Sequence, residues 1–193
     1  MVDFYLRVLD ILIALLALIA LSPLLGISAL LVRASGKSVI FRQKRNGRQG
    51  RVFTIYKFRT MRVMEDGDQS FKQASLKDDR VTAVGAFLRH YSIDELPQLL
   101  NILKGDMSIV GARPHALAHD RQFADKIDDY MRRYTLRPGL TGLAQVRRFR
   151  GPTDTLEKMV NRVRSDLEYI DNRSVRLYLD IIRQTAHGLY KEA

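Results

Sequence analysis

An uncharged run from Ile11 to Val32 does most to limit what this chain can fold into. At about 22 residues it has the length a helix needs to cross a bilayer. It is too long for the apolar region of a signal peptide, lacks a clear cleavage site, and is followed at once by basic residues. A straight transmembrane helix is the default reading, yet Ser22-Pro23, with Gly26 close behind, stands in the middle of the run. Proline there removes a helix hydrogen bond and bends the axis. Cations flank both ends, with Arg7 before the run and Arg33, Lys37, Arg42, Lys44 and Arg45 after it, so the positive-inside rule favours both ends on the cytoplasmic face. A helix–break–helix that dips in and returns satisfies both observations, provided its freed carbonyls are sheltered. Residues 1–36 are therefore expected as a re-entrant membrane segment and 37–193 as a cytoplasmic-face domain.

The formal net charge of +11 calls for anionic partners, whether nucleic acid, anionic lipid or phosphorylated substrates. The absence of cysteine excludes a disulfide scaffold and a thiol nucleophile. Much of the charge lies in 38–62, which reads as two strands, Val39 to Phe41 and Val52 to Phe58, around an Asn46-Gly47 turn. The second strand leads to Lys57, Arg59 and Arg62. Phe53, Tyr56 and Phe58 interleave with these cations as a base-stacking platform would require. The membrane segment just upstream ties the patch to a bilayer surface instead, where basic residues meet lipid headgroups. Nucleic acid is not expected as a partner.

Arg89 to Pro114, RHYSIDELPQLLNILKGDMSIVGARP, holds the densest chemistry. Ser92-x-x-Glu95 has the form of a capping box, and acids in a first helical turn also suit the helix dipole. Pro97 sits one position too deep for Ser92 as cap, which moves the helix start towards Asp94. Leu96, Leu99, Leu100, Ile102 and Leu103 recur at helical spacing and anchor an apolar face. Asp94 and Glu95 would then stand at a helix N-terminus, where a carboxylate stays ionised and N–H groups accept phosphate oxygens. An ionised Asp attacks phosphorus once the phosphate charge is masked, and Mg²⁺ on a neighbouring carboxylate together with arginines masks it. Glu95 is the candidate metal ligand. Arg89, Arg113 and cations of the basic hairpin are the candidate clamps. Asp66, Asp68, Asp78 and Asp79 lack the spacing of a calcium loop and read as solvated. His115 reads as a surface or turn histidine.

Downstream, 116–134 is helix-compatible, with Phe123, Ile127, Tyr130 and Met131 on one face. Arg137-Pro138-Gly139-Leu140-Thr141-Gly142 reads as a turn, either an ordinary tight one or one whose glycines let backbone approach a nucleotide, with Gln145 near the base. Arg147, Arg148 and Arg150 form a further basic cluster, read as facing substrate or lipid phosphate. Helices are expected over 156–170, with Leu156, Met159, Val160, Val163, Leu167 and Ile170 as its stripe, and over 174–189.

KFRTM (57–61), LRHYSIDELPQLLNILKGDMSIVGARP (88–114) and RPGLTGLAQV (137–146) together resemble the bacterial sugar transferases, the monotopic phosphoglycosyl transferases. The resemblance covers nearly the whole chain. It implies a mostly helical α+β enzyme with a re-entrant helix, a small β-hairpin and membrane-interface helices around the active site, on the cytoplasmic face of the bacterial inner membrane. Such an enzyme moves a sugar 1-phosphate from a UDP-sugar to undecaprenyl phosphate, releasing UMP. By resemblance Asp94 is the nucleophile, forming an aspartyl-phosphosugar, and Glu95 binds Mg²⁺. The phosphate contacts expected alongside are Lys57, Arg59, Arg89, Arg113, Arg137 and Gln145. Ala112 stands where the family usually has proline, which loosens the turn before Arg113. GPTDTLEKM (151–159) resembles members that transfer glucose or galactose 1-phosphate in exopolysaccharide synthesis. Those relatives often carry an additional N-terminal multi-span region, which these 193 residues do not contain. An N-acetylated UDP-sugar, a non-enzymatic basic module at the membrane surface, and a homo-oligomer remain as alternatives.

Overall fold

The computed structural model describes residues 2–35, 38–62, 78–151, 153 and 155–192; Lys37, Asp66, Asp68 and the expected boundary at 36/37 lie outside them. The chain opens with α1 (Val2–Ala20) and α2 (Ser22–Ala34), with Pro23 in the first turn of α2, where its missing N–H costs little. The two helices are bent by 65° at the expected break. Among the described residues no single helix is long and apolar enough to cross a membrane, but this bent pair meets the length and composition together.

One face of the pair is exposed among the described residues and the other belongs to the core. Leu12, Leu15, Leu16 and Ile19 on α1, with Ile27 and Leu30 on α2, are exposed. Leu6 and Ala14 are buried with Phe53, Ile55, Leu99, Ile102, Met107, Tyr178 and Ile181. Two polar residues lock α1 to this core. Asp10, 2% exposed, accepts from Ser108 Oγ at 2.8 Å, Ile109 N–H at 2.7 Å and Tyr178 O–H at 2.8 Å. Arg7, counted above as a flanking charge, donates to the carbonyls of Ile102 at 2.7 Å and Leu103 at 3.1 Å. The last carbonyls of a helix lack intrahelical partners; Gly105 N–H serves that of Ile102 at 3.0 Å, and the guanidinium adds a second donor there and one for Leu103.

The basic segment forms β1 (Ile40–Asn46) and β2 (Val52–Phe58), antiparallel from Ile40↔Phe58 to Asn46↔Val52. Beyond β2 the chain bridges Met61 to Val81 and enters α3 (Ala83–His90), capped by Thr82 Oγ1 accepting from Gly85 N–H at 2.9 Å. The expected capping box at Ser92 does not form. Ser92 adopts φ 57°, and a 3₁₀ turn, Ile93–Glu95, precedes α4 (Gln98–Lys104), with Pro97 at its cap. Of the expected apolar face, Leu99 and Ile102 are buried and Leu100 points outward.

The remaining elements are β3 (Ser108–Val110), α5 (Leu117–Ala124), β4 (Gly139–Thr141), α6 (Leu143–Val146), α7 (Leu156–Asp171) and α8 (Val175–Glu192). The helix expected over 116–134 ends at Ala124 and is followed by a 3₁₀ stretch, Tyr130–Tyr134, that leaves Met131 exposed. The expected turn at 137–142 is instead a strand, β4, running parallel to β3. Its glycines admit backbone rather than ligand, since a Cβ at Gly139 would stand 2.1 Å from Gly111 N. Of the α7 stripe, Met159 and Val163 are buried and Leu156 is exposed. The fold is thus mostly helical α+β with a small antiparallel hairpin.

Candidate active site

The carboxylate pair sits where four segments meet. The 3₁₀ turn brings Asp94 and Glu95, β2 brings Lys57, the end of α3 brings Arg89, and the chain leaving β3 brings Arg113. Ile93, beside Asp94, packs with Val32, Phe58 and Leu88, and partly buried Leu24, Leu25 and Ala29 join them. The second arm of the bent helix pair therefore forms one wall next to the carboxylates. Thr82 N–H donates to Thr60 O at 3.0 Å, and a Cβ at Gly85 would stand 2.1 Å from that oxygen, so α3 lies directly on the KFRTM backbone.

The two carboxylates have opposite environments. Glu95 accepts from Lys57 Nζ at 2.8 Å and from Arg113 Nη1 at 2.9 Å, with Arg113 Nη2 also bound to Oε1. Burial pushes its carboxyl up, but the Arg113 and Lys57 charges outweigh this and hold it well below the usual range. The same contact raises Arg113. Burial lowers Lys57, and Glu95 opposes that shift. Asp94, 9% exposed, accepts no hydrogen bond among the described residues. Burial raises its carboxyl to about 6, against the pull of Lys57 and with the push of Glu95, while Arg89 and Arg113 hold it down further. One carboxylate is locked as a fixed anion. The other is desolvated, unencumbered and ionised at neutral pH.

No helix N-terminus carries the two carboxylates. The carboxylates stand in the 3₁₀ turn upstream of α4, and side-chain cations do the work assigned to the dipole. Ser92, whose left-handed backbone is uncommon outside glycine, receives a hydrogen bond from Arg150 Nη2, which brings that one member of the 147–150 cluster to the turn carrying the pair. Arg147 instead pairs with Glu168 at the surface.

Other expected phosphate contacts are not gathered here. Arg59 N–H closes the hairpin onto Val39 O at 2.9 Å, and its side chain touches neither carboxylate among the described residues. Arg137 Nε donates to Gly105 O at 2.8 Å and lines a groove of about 540 Å³ at the hairpin tip with Arg48 and Arg51. Gln145 Nε2 donates to Leu140 O at 3.3 Å, and its Oε1 is buried without a partner among the described residues.

A buried polar layer behind Arg113 was not read from the sequence. Arg133 donates to Asp166 at 2.6 Å and to the Arg113 carbonyl at 3.1 Å, so α7 braces the turn that carries the clamp. Asp120 accepts from Tyr130 O–H at 2.7 Å, Tyr134 O–H at 2.9 Å and Asn46 Nδ2 at 2.7 Å, tying the hairpin to α5. His115 is buried in this layer rather than at the surface, with Arg133 Nη1 2.7 Å from Nδ1. Burial and the Arg133 charge hold it well below the usual histidine range, so it is neutral. The one signal in the sequence was an excess of Tyr, Arg and Asp at helical spacing in 120–134.

Mg²⁺ fits the pair by its donor set. A carboxylate offers about four lone-pair sites. Oε1 of Glu95 is filled by Lys57 and Arg113, whereas Oε2 has a single donor and Asp94 has none. Among the described residues no cluster of three or more His, Cys, Asp or Glu is found.

The site thus sets an ionised carboxylate, without a hydrogen bond among the described residues, beside the ammonium of Lys57 and the guanidinium groups of Arg89 and Arg113. The chain belongs to the bacterial sugar transferase family, whose model matches residues 1–192. It is 51% identical over 174 residues to a UDP-glucose:undecaprenyl-phosphate glucose-1-phosphate transferase of Escherichia coli K12, covering 90% of this chain and 37% of that protein. A protein of the same description from Caulobacter vibrioides is 49% identical, covering 97% of this chain and 70% of that one. An exopolysaccharide production protein of Rhizobium leguminosarum is 42% identical, covering 91% and 90%. The chain thus spans little more than a third of the E. coli relative.

Proposed function

We propose that the chain transfers glucose 1-phosphate from UDP-glucose to undecaprenyl phosphate, as a first step of exopolysaccharide assembly at the cytoplasmic face of the bacterial inner membrane. A carboxylate oxygen of Asp94 attacks the β-phosphorus of the donor. The bond from that phosphorus to the bridging oxygen breaks, and UMP leaves with the bonding pair. An oxygen of undecaprenyl phosphate then attacks the aspartyl-bound phosphorus, and the acyl-phosphate bond breaks to regenerate Asp94. Lys57, Arg89 and Arg113 neutralise the phosphate oxygens, and Glu95 keeps Arg113 and Lys57 oriented. Glu95 would hold Mg²⁺, which when bound would supply Lewis-acid charge neutralisation.

The observation that carries this reading is Asp94, buried, without a hydrogen bond among the described residues, and set against a neighbour whose charge is already paired. The bent helix pair supports the lipid half of the reaction. Its exposed apolar face suits a re-entrant segment, and its second arm walls the carboxylates where a polyprenol phosphate would arrive. Intact-protein mass spectrometry after mixing with UDP-glucose alone tests the mechanism. The wild type should carry a glucose 1-phosphate adduct that disappears on adding undecaprenyl phosphate, and Asp94→Asn should carry none. Transfer in one step without an adduct on Asp94 overturns it. A panel of UDP-sugars, read by UMP release, tests the choice of glucose over N-acetylated sugars. A chain that served only as a surface-binding module would release no UMP.

A further inference from the structure

The charges around the carboxylates do not balance. Lys57, Arg89 and Arg113 act on Asp94, while Arg45 acts on Lys57 and Arg113 and is drawn by Asp120 and Glu95, four cations against three carboxylates. Three of the four are accounted for: Lys57 and Arg113 pair with Glu95, and Arg89 acts electrostatically on Asp94. Arg45 is left over. The nearest acids are committed elsewhere, Asp120 to two tyrosines and Asn46, and Glu95 to Lys57 and Arg113.

The hairpin register aims Arg45 at the site. Residues two apart share a face, and directly paired residues share it too. With Phe41 opposite Lys57, Gln43 opposite Ile55 and Arg45 opposite Phe53, one face carries Lys57, Gln43 and Arg45 together. Arg45 Nη2 donates to Gln43 Oε1, and Nη1 makes a long bond of 3.4 Å to Pro114 O, next to Arg113. Its Nε is wholly buried and meets no acceptor among the described residues. A cation with an enclosed, unsatisfied donor and no carboxylate of its own is costly unless an anion arrives.

We infer that Arg45 is a phosphate-binding residue of this site, its guanidinium taking an oxygen of the phosphate group that the carboxylate pair processes. The inference rests on the phosphate-transfer reading above. The net positive charge that remains suits the phosphate group of a phosphate monoester or a nucleotide diphosphate, each carrying about two negative charges near neutral pH. Both substrates of the two-step reaction offer that group, and both pass the same carboxylate.

Arg45→Gln and Arg45→Lys, in the full chain in lipid nanodiscs, test it. The probes are inorganic pyrophosphate and UMP for thermal stabilisation, and UDP-glucose and undecaprenyl phosphate for kinetics. Without ligand, the midpoint of Arg45→Gln should equal or exceed that of the wild type, because an uncompensated charge is gone. Its shift with pyrophosphate should vanish, and a KM should rise about ten- to a hundredfold, the range for losing one charged hydrogen bond. Arg45→Lys should restore part of both. A rise confined to the UDP-glucose KM assigns the donor phosphate, and one confined to undecaprenyl phosphate assigns the acceptor. A wild-type pyrophosphate shift in Arg45→Gln, with both KM values unchanged, overturns the inference and leaves Arg45 as a brace for the Pro114 turn. If Arg45→Gln does not fold, the same two measurements on Arg45→Lys decide, unchanged values refuting the role. If the wild type releases no UMP from any UDP-sugar yet loses its pyrophosphate shift with Arg45, the transfer reading fails while the anion site stands.

Discussion

Replacing Asp94 by asparagine should make the protein more stable while abolishing turnover, and the size of the gain follows from the site. Burial raises the Asp94 carboxyl from its ordinary 3.8 to about 6, net of the attraction of Lys57, Arg89 and Arg113. A shift of about two units corresponds to about 3 kcal/mol against the ionised form. In the folded protein Asp94 keeps its proton up to about pH 6, whereas in the unfolded chain it loses it near 3.8. Wild-type stability therefore falls as pH rises between these values and carries the full penalty above 6. Asparagine fills the same volume without the charge, and no hydrogen bond is lost with the carboxylate. At pH 8 the variant should melt about 6–12 °C higher, at about 2–4 °C per kcal/mol for a chain of this size. At pH 5 the gap should shrink to about half, because wild-type Asp94 is then mostly protonated when folded. Far-UV circular dichroism in nanodiscs at both pH values measures this, and UMP release on the same samples should be absent. An unchanged or lower midpoint at pH 8, or a gap independent of pH, would refute the claim that the nucleophile is a desolvated, unbonded carboxylate.

The same titration should appear in catalysis with the opposite sign, since attack needs the ionised form: the acid limb of kcat/KM for UMP release should fall by half near pH 6, and a limb near 4 would contradict the burial argument. Arg113→Lys keeps the charge but loses the two-nitrogen grip on Glu95, so UMP release should drop about ten- to a hundredfold with little change in midpoint; wild-type rates would show the grip to be dispensable. Gly139→Ala should prevent the β3–β4 pairing and expose the chain to limited proteolysis, because the new methyl would meet backbone at Gly111. Gly151→Ala, with nothing within 4 Å of the added carbon, is the matched control and should digest like the wild type.

What the sequence determined by itself was whatever acts within a few residues. Apolar run length, the proline break, the alternation of β2 and the stripe of α7 each became the element their periodicity implies, because those signals are local backbone and hydration effects. Two adjacent acids and their basic surroundings were legible for the same reason. What only the tertiary structure decided was which cation meets which acid. Lys57 reaches Glu95 across 38 residues, Arg113 across 18, and Arg133 holds the Arg113 carbonyl across 20. Local rules also misread places where a distant partner outbid a near one. Ser92 and Glu95 passed over each other for Arg150, Lys57 and Arg113, and a Gly-rich turn became a strand once β3 lay beside it. A side chain spaced for a cap or a ligand has several partners of similar strength, and only the packed chain fixes which of them is within 3 Å.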